Sequence, residues 1–196
     1  MAPKMVWEDE EPVKATPIHK VWAELERLVE AGLIKNLGVS NCTIPVLLDL
    51  FTYAKIRPQI NQIELHPYLV QEDVVAFHKK LGVHVQAYAP LGSSAWTLRA
   101  EELKSLNLLE EPVIKALAEK YGKSVGKIVL NWHLNQGHVI IPKTTKVARL
   151  GENIEVYDFK LTPEEYASIS ALNKNARFFN TKAFKEYGWN HCPYFD

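Results

Sequence analysis

This sequence predicts an α/β fold built on a parallel sheet, and three observations carry that expectation. Short apolar strands alternate with amphipathic helices in the order α-β-α-β-α-β-αα-β-α-α. Several helix candidates open on a capping residue or a proline and close on a glycine, as helix termini require. A chain of 196 residues, 47% hydrophobic and 23% charged, holds enough apolar material for one domain with a sizeable core.

Residues 1–15 are charged, Pro-bearing and aperiodic, and read as an N-terminal loop. Thr16 as N-cap and Pro17 as first helical position open a helix. Its apolar face is Ile18, Val21, Trp22, Leu25, Leu28 and Val29, and Gly32 ends it. Glu24, Glu26 and Glu30 read as its solvated face. A strand follows over 33–40, then a helix over 44–55 halted before Pro58. The alternation repeats with a strand over 59–65, a helix over 71–81 with Gly82 past its end, and a strand over 83–89. Residues 90–111 form a Ser-, Leu- and Glu-rich excursion. Helices over 112–121 and 124–136 are closed by Gly122 and Gly137. The last strand spans 138–141, and a short helix surrounds Arg149. Thr162-Pro163-Glu164-Glu165 is a capping box with proline at the first helical position. The expected organisation is thus a loop over 1–15, a sheet-and-helix body over 16–172, and an aromatic, aperiodic tail over 173–196.

The 23 basic and 23 acidic residues cancel, which argues against a general nucleic-acid or membrane-surface binder; any anion site has to be local. Cys42 and Cys192 lie in no CxxC or zinc-ligand spacing, which suits a reducing compartment. No apolar run reaches the length of a membrane span, and no signal-peptide core opens the chain, so the expected location is the cytoplasm.

In parallel α/β sheets the chemistry gathers at the C-terminal strand ends. The first strand ends in Gly38-Val39-Ser40-Asn41. The second carries Asn61-Gln62 and Glu64, then His66-Pro67-Tyr68. The third ends in Tyr88-Ala89-Pro90-Leu91-Gly92-Ser93. The fourth runs into Pro142-Lys143-Thr144-Thr145, a basic, hydroxyl-rich turn ahead of the helix with Arg149, Glu152 and Asn153. A strand leading to a helix N-terminus among Lys, Thr and Arg favours a phosphate. Ser, Asn and Gln can hydrogen-bond a carboxamide, Tyr can stack on a flat ring, and the Ser93 and Lys143 regions can hold two phosphate groups. Each residue also has a plain structural use. Ser40-Asn41 serves equally as a turn or cap, Gln62 as a satisfied core polar group and Tyr88 as core. His66 before Pro67 reads as a structural histidine bonded to backbone. His133 and His138 lack an HExxH context for a metal. No Gly-x-Gly-x-x-Gly and no P-loop occurs. The coherence lies in the placement of these residues on four successive strand ends.

With those segments assembled, the chain resembles the C-terminal portion of an aldo-keto reductase over residues 16–196, most closely the aldose and xylose reductase branch. The residues that carry the resemblance are Gly32-Leu33-Ile34-Lys35 with Gly38-Val39-Ser40-Asn41, and Asn61-Gln62-Ile63-Glu64-Leu65-His66-Pro67-Tyr68. Ala87-Tyr88-Ala89-Pro90-Leu91-Gly92-Ser93 and Ile140-Ile141-Pro142-Lys143 complete it. The resemblance implies a (β/α)8 TIM barrel that binds NADPH/NADP+ without a Rossmann motif, of which four strands with their outer helices, about the second half, are present. It implies reduction of aldehydes, ketones or aldose sugars to alcohols. Ser40, Asn41 and Gln62 would hold the nicotinamide carboxamide, and Tyr88 would stack under its ring. Leu91 and Ser93 would lie along the pyrophosphate. Lys143, Thr144 and Arg149 would contact the adenosine 2′-phosphate, with Glu152 and Asn153 near the adenine. Trp96, Phe178, Phe179 and Trp189 would border a substrate pocket.

The chain departs from the family pattern in places. Ala89 stands where the family usually has Ser, and Ser94-Ala95-Trp96 stands where it often has a clamping Asp. No residue here maps onto the family's catalytic Asp, Tyr, Lys and His. Without the Tyr proton donor, carbonyl reduction forfeits general-acid assistance of roughly 10²–10⁴-fold. The alternative expectation is therefore an inactive, truncated relative that binds NADP(H) or self-associates. Two open sheet edges would call for a homodimer or another partner to cover them.

Overall fold

A computed structural model of the chain describes residues 16–93 and 101–179. Seven helices and four strands are described in the expected alternation: α1 (Ile18–Glu30), β1 (Gly38–Ser40), α2 (Ile44–Tyr53), β2 (Ile60–Glu64), α3 (Glu72–Leu81) and β3 (His84–Tyr88). Two single-turn 3-10 segments, Glu101–Leu103 and Leu108–Glu110, lead into α4 (Pro112–Tyr121) and α5 (Val125–Asn135). Then come β4 (Val139–Ile140), α6 (Ala148–Ile154) and α7 (Pro163–Ser170). The strands are ordered β1-β2-β3-β4 in one sheet. β4 runs parallel to β3, with Gln86 opposite Val139 and Ala87 opposite Ile140. The described residues divide into two units, 16–61 and 62–179.

All four strands begin later than the apolar pattern suggests, three of them behind a helix that closes on a left-handed glycine. At the end of α1, Gly32 takes a left-handed backbone (φ 72°) and the N–H of Leu33 donates to Leu28 O at 3.0 Å. That N–H is consumed by helix closure and cannot join a ladder. The expected strand 33–40 accordingly shrinks to Gly38–Ser40, and Leu33 is 75% exposed. The same bond, Val83 N–H to His78 O and His138 N–H to His133 O, delays β3 and β4 by one residue each.

In the first unit, the start and the buried face of α1 both differ from expectation. Pro17, not Thr16, occupies the N-cap position; its extended backbone (ψ 139°) leaves its carbonyl to accept from Lys20 and Val21. Trp22 and Glu26 are the buried residues of the helix, while Ile18, Val21 and Leu28 remain between 39% and 45% exposed. Glu26 is thus not part of a solvated face. Its Oε1 accepts the backbone N–H groups of Lys55 at 2.7 Å and Ile56 at 2.9 Å, donors that the end of α2 leaves unsatisfied. Trp22 adds an indole N–H bond to Ile56 O at 3.0 Å. Glu26→Ala is expected to destabilise the chain by about 2–3 kcal/mol, since two N–H groups lose a charged acceptor. Urea unfolding checks this; an unchanged midpoint would contradict it.

In the second unit, alternation along the strands sorts the side chains. Ile63, Val85 and Ala87 join the core with Ile114, Ile128, Val129, Trp132 and Ile169. At the alternate positions Gln62 Nε2 donates to Gln86 Oε1 at 2.6 Å. Trp132 has no exposed surface; its indole N–H donates to Ser170 Oγ at 3.0 Å and its ring stacks 5.8 Å from Tyr166. α5 is capped by Ser124, whose hydroxyl accepts from Lys127 N–H. α7 carries the expected capping box between Thr162 and Glu165. Among the described residues no helix is long and apolar enough to cross a membrane.

Candidate functional site

The site grows from the ends of β3 and β4, both in the second unit. Tyr88 is the last residue of β3, and the chain then makes a tight turn in which Ala89 (φ 50°), Gly92 (φ 72°) and Ser93 (φ 40°) are all left-handed. Such a backbone is costly for Ala and Ser and persists only where surroundings enforce it. Here Gly92 N–H closes the turn on Ala89 O at 2.8 Å. From below, His133 of α5 places Nε2 3.1 Å from Pro90 O, which makes that nitrogen the protonated donor. Gly92 suits its place: a Cβ would lie a tight 3.3 Å from Leu108 Cβ, in a backbone that L side chains rarely adopt.

Beside this turn, Ile141 N–H donates to Ala87 O at 3.3 Å and brings the β4 exit alongside. Thr144 Oγ1 accepts the Lys146 N–H at 3.1 Å and shapes the basic loop. The two segments enclose a cavity of about 670 Å³. Tyr88, Leu91, Ser93, Lys143, Thr144 and Arg149 all line it, so six of the eleven residues singled out for cofactor binding converge there. Ala89, Pro90, Lys146 and Phe179 complete much of the wall. Among the described residues three cations and no carboxylate line the cavity, so they give it a positive field although the whole chain is neutral. Burial pushes the Tyr88 hydroxyl well above the usual tyrosine value, and the Glu64 charge adds to this against Arg177; the ring is neutral at any physiological pH. Phe179 meets Tyr88 edge-on, with centroids 5.4 Å apart and planes at 86°.

Lys143 and Thr144 stand, as expected, on a turn ahead of the helix: the loop 141–147 separates β4 from α6. α6 spans only seven residues, so its dipole is small and the positive field comes mainly from side chains. Glu152 and Asn153 ride on α6 outside the cavity wall, and Gln62 is engaged with Gln86. Ser40 and Asn41 belong to the first unit. Asn41 is left-handed (φ 53°), as a turn residue, and its buried Oδ1 finds no hydrogen-bond partner among the described residues. Trp96 and Trp189 lie outside the described residues.

Two further expectations change. His66 is not bonded to backbone: its Nε2 lies 3.0 Å from Glu64 Oε1, with both side chains fully buried. Phe178 is core, stacked on His66 at 4.7 Å, rather than pocket lining. His133 and Lys146 carried no signal, because their partners are set by the fold. Among the described residues no group of three or more His, Cys, Asp or Glu is arranged to hold a metal ion.

The sequence matches the model of the Aldo/keto reductase family over residues 7–174. The chain belongs to that family. Among its aldo/keto reductase relatives is 4-dihydromethyl-trisporate dehydrogenase of Mucor mucedo, 40% identical over 92% of this chain and 56% of the relative. Aldose reductase B of Dictyostelium discoideum is 41% identical over 86% of this chain and 51% of its own length. The human aldo-keto reductase family 1 member A1 is 43% identical over 84% and 50%. The chain therefore spans about half the length of the curated relatives it matches. A Bombyx mori aldo-keto reductase, solved in complex with NADP, superimposes with a TM-score of 0.78 at 34% identity, over 94% of this chain and 59% of that one. The aldose reductase of Schistosoma japonicum gives the same TM-score at 28% identity, over 92% and 54%. These aldo/keto reductase neighbours place the four-stranded sheet in the (β/α)8-barrel class, as part of such a barrel.

Proposed function

We propose that this chain binds NADPH and NADP+ in the cavity between the 88–93 turn and the 141–149 loop. We assign it to aldehyde, ketone or aldose reduction within the oxidoreductase chemistry of its family. The observation that carries this reading is the convergence of Lys143, Thr144 and Arg149 with Tyr88 on one cavity that no carboxylate among the described residues lines. The donor set fits the group. Lys143 and Arg149 supply two cations and Thr144 a hydroxyl, enough for the adenosine 2′-phosphate that distinguishes NADPH from NADH. Leu91 and Ser93 would lie along the pyrophosphate, and neutral Tyr88 would offer a ring face. Ser40, Asn41 and Gln62 would hold the carboxamide, and Glu152 and Asn153 would stand toward the adenine. The cofactor, when bound, supplies the hydride. This chain's residues bind and orient it, and the Bombyx mori relative's complex with NADP supports that assignment. A cytoplasmic location belongs to the same proposal.

A second reading is an NADP(H)-binding or self-associating chain without turnover. The observation that favours it is that no residue of this sequence maps onto the family's Asp, Tyr, Lys and His.

Both readings are tested on the purified chain by measuring its mass in solution and titrating NADPH by fluorescence. Lys143→Ala and Arg149→Ala are each expected to weaken NADPH binding by about 10- to 100-fold, as loss of one charge-assisted contact does, while NADH changes little. No binding at any NADPH concentration would sink the cofactor assignment. Consumption of NADPH with glyceraldehyde then separates the enzyme from the binder.

A further inference from the structure

The end of β2 carries a carboxylate with no exposed surface. Glu64 accepts three hydrogen bonds: Phe178 N–H at 2.7 Å and His66 Nε2 at 3.0 Å on Oε1, and Phe179 N–H at 3.1 Å on Oε2. The Arg177 guanidinium stands 3.9 Å from Oε2. A buried carboxylate is costly unless its acceptors are filled, and here they are filled chiefly by one distant segment. That segment is stitched down at further points. Lys174 and Ala176 N–H donate to Tyr68 O at 3.1 and 3.0 Å, and Asn173 Oδ1 accepts Val70 N–H at 3.2 Å. Arg177 donates to Gln71 Oε1 at 3.1 Å, and Gln71 Nε2 donates to the Glu64 carbonyl at 2.6 Å.

Of the two phenylalanines that Glu64 holds, Phe178 is sunk in the core on His66, whereas Phe179 is presented to the cavity, edge-on to Tyr88. We propose that Glu64 is a positioning residue for the cofactor site: through the N–H groups of Phe178 and Phe179 it sets the Phe179 ring against Tyr88, and so orients the aromatic surface offered to a flat ring of the dinucleotide. The proposal rests on the NADP(H) reading above. Glu64 itself touches the backbone of 178–179 and not the cavity. Its charge matters because a Gln of the same size keeps one acceptor oxygen and turns an NH2 toward one of the two amides, leaving a buried donor facing a donor.

The test uses the full chain and NADPH. Glu64→Gln, Phe179→Ala and their combination are expected to keep the wild-type helical circular dichroism. Glu64→Gln is expected to weaken NADPH binding about tenfold and to speed amide hydrogen exchange at Phe178 and Phe179, with α4 and α5 unchanged. Phe179→Ala is expected to weaken binding by a similar factor. The double variant should bind no worse than the weaker single, because both remove the same ring placement. Additive losses, unchanged NADPH affinity in Glu64→Gln, or unchanged exchange at Phe178 and Phe179 would each overturn the proposal. A wild-type chain that binds no NADPH defeats the cofactor reading and the proposal with it. If Lys143→Ala weakens binding and Glu64→Gln does not, the cofactor reading stands and the positioning role alone falls.

Discussion

Replacing Trp132 with alanine is expected to cost about 3–5 kcal/mol, a large share of the roughly 5–15 kcal/mol by which a domain is stable. The indole is fully buried in α5 and stacked on Tyr166 of α7. It also packs edge-on to His133 at 4.7 Å, and its N–H is spent on Ser170. Alanine there leaves a cavity between two helices and takes away the donor to Ser170 Oγ, which keeps only its own bond to Tyr166 O. The damage should extend to the site, since His133 is the residue that props Pro90 beneath the left-handed turn. Trp132→Phe keeps most of the ring and loses only the N–H bond and some volume, with an expected cost nearer about 1–2 kcal/mol. Urea midpoints of the two variants decide the matter. If Trp132→Ala unfolded at the wild-type midpoint, the packing described for this core would be wrong.

Acidification is expected to have an effect of comparable size, beginning well above the range where carboxylates titrate. Burial pushes His133 down to about 3, with the neighbouring His138 adding to the shift; burial also pushes His138 down to about 4. Their rings lie 5.7 Å apart. A histidine whose pKa is depressed in the folded state binds its proton first in the unfolded chain. Above the ordinary value of about 6.5 both states are neutral and nothing is lost. As the pH falls from about 6.5 toward 4, the unfolded chain takes up protons that the folded chain refuses, and stability drops. The slope is roughly 1 kcal/mol per pH unit for each histidine, so the loss by pH 4 is on the order of 5 kcal/mol. Glu165 acts later. Burial raises it, but hydrogen bonds from Lys120, Tyr121 and the Thr162 N–H outweigh that and hold it at about 2, so its contribution is lost from about 4.5 downward. Urea unfolding at pH 7, 5.5 and 4.5 samples the histidine window before Glu165 begins to lose its contribution. A His133→Gln, His138→Gln double variant, which keeps a donor for Pro90, should flatten the curve above pH 5. A wild-type stability that is level between pH 7 and 4.5 would contradict the histidine account.

The residues that were legible from sequence are those whose meaning is local. Gly122 stops α4, Thr162 and Glu165 box α7, and the strand–helix alternation follows from periodicities of a few residues. Lys143, Thr144 and Arg149 announced a basic turn because they lie together in the chain, and the fold carries them to the same cavity as Tyr88 and Ser93. The illegible residues are those whose partners are remote. Glu26 looks like any solvated helix glutamate until Lys55 and Ile56 are folded against it. Glu64 reads as a polar strand residue until Phe178 and Phe179 arrive from more than a hundred positions away. His133 shows nothing until Pro90 lies above it. The overlong strands at 33, 83 and 138 failed differently: a left-handed glycine takes the next N–H for helix closure, and hydrophobicity does not register that bond.

The pairing of β3 with β4 also bears on how the site comes into being. Gln86 and Val139 are neighbours in space but about fifty positions apart, and β4 offers only two residues to the ladder. Bringing them together means closing a long loop for few hydrogen bonds, a step that contact order makes slow. α4 and α5, by contrast, are consecutive helices that can form and dock early. In a refolding chain the helices should therefore precede the junction of the 88–93 turn with the 141–149 loop. Competence to bind the dinucleotide would be among the last properties the molecule acquires.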